Sequence, residues 1–149
     1  MMSPFDLTPS IARLVAEVSE LQEVGAAADY AAIESLSSFR TPSAYVVPAG
    51  EKDISPDIDN PQRRPSGAQQ VESLFGVVVA VRNFRDSVGS AATADASPII
   101  AAVRGALMGW SVDIKKHRPI RWMQGDVMDY DASTLLWIDV FSVRHFLTR

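Results

Sequence analysis

The stretch Ser73–Asp86, SLFGVVVAVRNFRD, constrains this chain more than any other. Its apolar run FGVVVAV is far shorter than the roughly 18 residues that a membrane-spanning helix needs. Three successive β-branched valines disfavour a helix and favour a strand. In a strand, Phe75, Val77, Val79 and Val81 share one face, and Leu74, Gly76, Val78 and Ala80 share the other. Both faces are apolar, so the strand is predicted to be central and covered on both sides. Small residues on the second face leave room for a helix to approach.

The remaining sequence supplies partners for such a strand. Residues 8–23 read as a helix with Thr8 as N-cap and Pro9 in its first turn. Ile11, Leu14, Val15, Val18 and Leu21 form its apolar stripe, and Gly25 ends the pattern. In the alanine-rich piece that follows, Asp29 is expected to cap a short helix over Tyr30–Leu36; a brief strand near Val24–Ala28 is the alternative. Ser43–Glu51 reads as a strand that ends at Pro48 or lies on an edge, because proline cannot donate to a ladder.

Glu51–Gly67 then changes character, with three prolines, two arginines and four acidic residues in seventeen positions. A loop of that length is expected to be flexible or functional. Residues 83–96 read as a polar connection. A second helix is predicted from DASPIIAAVRGALMGW, capped by Asp95 or Ser97, with Pro98 in its first turn. Its stripe is Ile99, Ile100, Val103 and Leu107, and Gly109 is its left-handed stop. Two strands, Ile120–Tyr130 and Thr134–Phe146, follow around a hairpin turn at Asp131–Ser133. Strands and helices do not alternate regularly. The predicted class is α+β, with a mainly antiparallel (mixed) sheet of about four strands and two main helices packed on it. At 149 residues the chain is expected to be a single domain.

The chemistry-bearing residues are sparse. There is no cysteine, which excludes disulfides, thiol catalysis and cysteine-ligated metals. His117 and His145 lack metal-pair spacing and read as surface or half-exposed residues. Asp126, Asp129 and Asp131 are dense enough to suggest a divalent cation. Without a calcium-loop spacing they read as turn formers and edge protectors, and so do Glu51, Asp53, Asp57 and Asp59. No nucleophile elbow or phosphate-cradling loop is present. The N-terminus lacks the basic and apolar regions of a signal peptide. KKHRPIR at 115–121 beside Trp122 is a basic patch of the kind that can bind nucleic acid. The net charge of −4 argues instead for a solvated loop and a core tryptophan. What remains resembles an interaction subunit rather than a catalyst.

Several phrases taken together resemble one family. They are IARLVAEV and VGAAADYAAI early in the chain, AYVVPAGE before the long loop, FGVVVAVRNFRD followed by Gly89, ALMGW closing a helix, and YDASTLLWIDVFSVRHFL at the end. Their order and spacing resemble the tail terminator proteins of long-tailed bacteriophages and prophages across nearly the whole chain. The resemblance implies a small α+β subunit without enzymatic activity or cofactor, assembled into a homo-oligomeric ring, usually a hexamer. Such a ring caps the head-proximal end of the tail tube, stops its polymerisation and meets the head–tail connector. It belongs to the neck of the virion and is assembled in the cytoplasm of the host. DNA would pass through its lumen without specific binding, which suits a net-negative chain. A sheet edge is expected to pair across subunits. Arg63 and Arg64 in the loop, and Arg82, Arg85 and Asp86 where the central strand ends, are the candidate subunit or tube contacts. Two other readings stay open: another neck subunit, such as a head-completion or stopper protein, and a small metal-dependent enzyme built on Asp126, Asp129 and Asp131.

Overall fold

A computed structural model describes residues 3–55, 68–82 and 90–148; side chains are described from residue 69 in the second segment and from residue 96 in the third. Five strands form one sheet in the order β1-β2-β3-β5-β4. They are β1 (Glu23–Ala26), β2 (Ser43–Asp53), β3 (Ala68–Arg82), β4 (Arg121–Tyr130) and β5 (Thr134–Thr148). The β1–β2 pair is parallel and the other three pairs are antiparallel. Among the described residues three α-helices accompany the sheet, α1 (Thr8–Glu17), α2 (Ala27–Ala31) and α3 (Ser90–Leu107), with a 3₁₀ turn at Leu36–Ser38. The α+β class and mixed sheet match the sequence expectation, with one more strand and one more short helix.

The valine strand is central. It is flanked by β2 on one side and, along its whole length, by β5 on the other. Phe75, Val77, Val79 and Val81 join the main core beneath α1 and α3, with Leu14, Val18, Val103, Leu107, Leu135 and Phe141. On the opposite face Val78 and Ala80 pack with Tyr45 and Leu136, covered by Tyr30, Ile33, Leu36 and Phe39 from the α2 segment. Among the described residues, no main helix uses the space above Gly76. A Cβ there would lie 2.9 Å from the Ile138 side chain of β5, so the glycine makes room for a neighbouring strand.

Several predicted boundaries are corrected. Helix α1 stops at Glu17, because Val18 leaves the helical region and the Gln22 N–H bonds to the Pro42 carbonyl at the entry to β1. Thr8 is the first helical residue rather than the cap; Leu7 holds the N-cap position without a side-chain capping bond, and Asp6 just before it accepts the Thr8 N–H at 3.0 Å, which lowers the Asp6 pKa. Val15 is 60% exposed and not part of the buried stripe. Strand and helix are both present after Leu21, and Asp29 accepts the Ala26 N–H at 2.8 Å where one gives way to the other. Helix α3 begins at Ser90, so residues 90–96 are helix rather than connection and Pro98 is interior. Alanine-rich sequence before Pro98 carries the helix upstream, and proline costs that helix one backbone bond. Gly109 does adopt the left-handed conformation, at φ 79°.

Strand β2 continues past Pro48 to Asp53, so Glu51–Asp53 are strand rather than loop. β1 covers β2 only at Ser43–Val46, and Pro48 lies where that edge is open. A register shift between Pro48 and Gly50, the latter at φ 114°, absorbs the irregularity.

Candidate subunit interface

Of the predicted contact residues, Arg63, Arg64, Arg85 and Asp86 lie outside the described residues. Arg82 is the last residue of β3, exposed and opposite Thr134.

Sequence reasoning missed β4 as a surface. It forms one edge of the sheet, and nine of its ten residues are exposed. Trp122, Met123, Val127, Met128 and Tyr130 are all large apolar side chains open to solvent. The register slips between Trp122 and Gln124 and again between Val127 and Asp129, placing a bulge at each methionine. Long apolar edges are liabilities that soluble monomers normally blunt. A signal was present in WMQGDVMDY: its apolar residues fit neither a two-residue alternation nor one helical face.

A single buried carboxylate fixes this edge to the body. Asp139 on β5 is 0% exposed. It accepts two 2.8 Å bonds from Arg104 of α3, through Nε and Nη2. The indole N–H groups of Trp122 on β4 and Trp137 on β5 donate to Asp139 Oδ1 at 3.1 and 2.9 Å. The Arg104 guanidinium also lies over the Trp122 ring, 4.9 Å from its centroid. The bonds to Asp139 raise the Arg104 pKa above its ordinary value. Gly125 is directly opposite Asp139, and a Cβ there would sit 2.6 Å from Asp139 Oδ1.

The aspartates of the β4–β5 hairpin divide by role. Asp131 Oδ1 accepts the N–H groups of Ser133 and Thr134, which lowers its pKa and makes it the turn former expected from sequence. Asp126 and Asp129 are exposed on β4. Among the described residues, no group of three or more histidine, aspartate or glutamate side chains could hold a metal ion. Asp57 and Asp59 lie outside those residues.

The basic patch sits at the other end of the same edge. The Arg118 N–H bonds to the Arg144 carbonyl at 2.9 Å, so residues 117–118 continue the line of β4 alongside β5. Lys115, Lys116 and Arg118 are exposed and have no ion-pair partner among the described residues. Arg144 leans on the buried Glu72 at 3.4 Å. Ile114 (86% exposed) and Phe146 (59% exposed) flank the cations around a cleft of about 310 Å³.

His145 corrects another expectation, whereas His117 is half-exposed as expected. His145 is buried, not surface or half-exposed, because β5 turns it beneath the N-terminal arm. Its Nε2 is 2.6 Å from Ser73 Oγ, which also bonds to Glu51 Oε2. Phe5 packs on both histidine rings, at 5.2 Å from His117 and 5.8 Å from His145. Serine, histidine and glutamate together suggest a hydrolytic triad, but the connectivity is wrong. A carboxylate only accepts, so Ser73 donates to Glu51 and its oxygen receives the His145 Nε2–H. With the hydroxyl proton given to the acid, the arrangement lacks the serine-to-base bond of a hydrolytic triad. The group clamps β2, β3, β5 and the arm together.

Burial of His117, followed by the positive field of His145, lowers its pKa; Asp113 opposes this and Lys116 adds to it. A base with a lowered folded pKa takes up its proton more readily when unfolded. Its contribution to stability is therefore full above the unfolded value of about 6.5 and is lost as pH falls through the folded value. Urea midpoints measured between about pH 7.5 and 5 should fall less steeply for His117→Gln than for the unaltered chain. Equal slopes would show that His117 does not titrate in this way.

No helix among the described residues is long and apolar enough to cross a membrane. No curated relative matches the sequence significantly. The family model for the phage tail terminator protein, however, matches residues 1–149, the entire chain given. An exposed apolar sheet edge among the described residues is consistent with that match, and the chain belongs to the phage tail terminator family.

Proposed function

We propose that this chain assembles into a ring, most simply a hexamer, on the head-proximal end of the phage tail tube. There it stops tube polymerisation and joins the tail to the head connector. It works by binding alone, without catalysis or cofactor, and DNA crosses its lumen without specific contacts. Family membership supports the tail role. The observation that carries the assembly role is β4, an edge strand whose apolar side chains stand exposed in the isolated subunit. Its net charge of −4 suits a channel through which DNA must slide.

The test is electron microscopy of particles made without this chain. With no stop on growth, tubes of excessive and variable length are expected, and complementation should restore one length. Tails of normal length that merely fail to join heads would assign the chain to another neck component.

A further inference from the structure

We propose that β4 is the seam between neighbouring copies, and that its acidic residues Asp126 and Asp129 face the basic cluster Lys115, Lys116 and Arg118 of the next copy. The inference rests on the ring reading above and names the surfaces that would build it.

Three observations converge on this edge. The first is steric. The exposed apolar side chains of β4 lie along one face of the strand and at its two bulges. Trp122, Val127 and Tyr130 share the face of the Asp139 node, whereas the bulged Met123 and Met128 break the alternation. A partner laid along this edge covers that face, the bulged methionines and the open backbone of β4 together.

The second is electrostatic. Asp126 and Asp129 are exposed near one end of β4, and three cations without ion-pair partners among the described residues lie beyond the other end. Among the described residues the two patches stand too far apart along the edge to meet within one chain, and a second copy of the same chain offers each its complement. Opposite charge across such a contact fixes register and penalises wrong alignment.

The third concerns the cleft. Its about 310 Å³ opening is flanked by the exposed Ile114 and Phe146 beside those cations. An acidic strand end carrying apolar neighbours, such as Asp126-Val127-Met128-Asp129, has the chemistry to enter it. With copies aligned head to tail along this edge, the acidic end of one meets the basic end of the next, and such a heterologous contact closes into a ring or propagates, whereas antiparallel edges would pair as a two-fold dimer.

The absence of cysteine gives a clean test. Asp129→Cys and Lys116→Cys are introduced into one chain, which is assembled on tubes and treated with a short bis-maleimide. A heterologous seam gives a ladder of crosslinked chains beyond two, whereas each single variant gives none. Reversing the acids (Asp126→Lys with Asp129→Lys) should lower assembly about tenfold or more, and adding Lys115→Glu with Lys116→Glu should restore it. Dimers alone would indicate a two-fold contact and overturn the proposal. So would an absence of crosslinks on tubes that visibly carry a ring. Tubes that carry no ring would remove the functional reading itself.

Discussion

Replacing Asp139 with alanine is expected to lower the unfolding free energy by about 3 kcal/mol. The carboxylate is fully buried and holds Arg104 through both of its oxygens. Removing one member of a buried ion pair typically costs about 3–5 kcal/mol, because the survivor keeps its desolvation and loses its partner. Arg104 is 34% exposed and can recover some water, which places the cost near the lower end. The Trp122 and Trp137 N–H groups lose their acceptor as well. Against a typical total of about 5–15 kcal/mol, this is a large share. Urea denaturation checks it. Asp139→Asn keeps the shape and one acceptor oxygen and should fall between. A loss under about 1 kcal/mol in Asp139→Ala would show that the node is dispensable. Because Trp122 belongs to β4, the alanine variant should also weaken tail assembly beyond its effect on folding.

Phe75→Ala is expected to cost about 3–5 kcal/mol, from the lost transfer energy and the cavity left behind. The ring is 0% exposed and stacks on Phe141 at 5.5 Å. It also supports Phe5 of the N-terminal arm, with ring centroids 6.2 Å apart. The same variant should therefore make the arm more sensitive to limited proteolysis. Phe146→Ala is the control: at 59% exposure the free subunit should lose no more than about 0.5 kcal/mol. Equal losses in the two variants would contradict the placement of Phe75 at the centre of the core.

These two positions show what sequence can and cannot reveal. Phe75 was legible because a run of alternating residues, apolar on both faces, can only be a strand with cover above and below. The hairpin at Asp131 and the stop at Gly109 were legible for a similar reason, since each is set by local backbone chemistry. Strand β1 was ambiguous because its four residues become a strand only through pairing with Ser43–Val46. The start of α3 was hidden by Pro98, which reads as a first-turn residue although the helix runs through it. The Asp139 node was invisible: Arg104, Trp122, Trp137 and Asp139 carry no spacing rule and meet only when α3 packs across the sheet. Charge in the sequence points to Arg63, Arg64, Arg82, Arg85 and Asp86, of which only Arg82 is among the described residues. The structure adds an apolar edge, β4. A strand exposed on both faces has no periodic signature, and its meaning appears only when the neighbouring strands are known.

The β3–β5 pair has a mechanical consequence. Its register runs from Ala68↔Thr148 to Arg82↔Thr134 without a shift, whereas the flanking β2 and β4 are both bulged. Fifteen paired residues per strand make a girder roughly 50 Å long, braced on one face by α1 and α3. A stiff girder is a lever arm. Tilting it by about 5° about one end carries the other through roughly 4 Å, the scale of a strand spacing. Arg82 and the Asp131 turn stand at one tip and Arg144 near the other. A small rotation imposed at one tip would thus arrive at the other as a displacement large enough to make or break a contact.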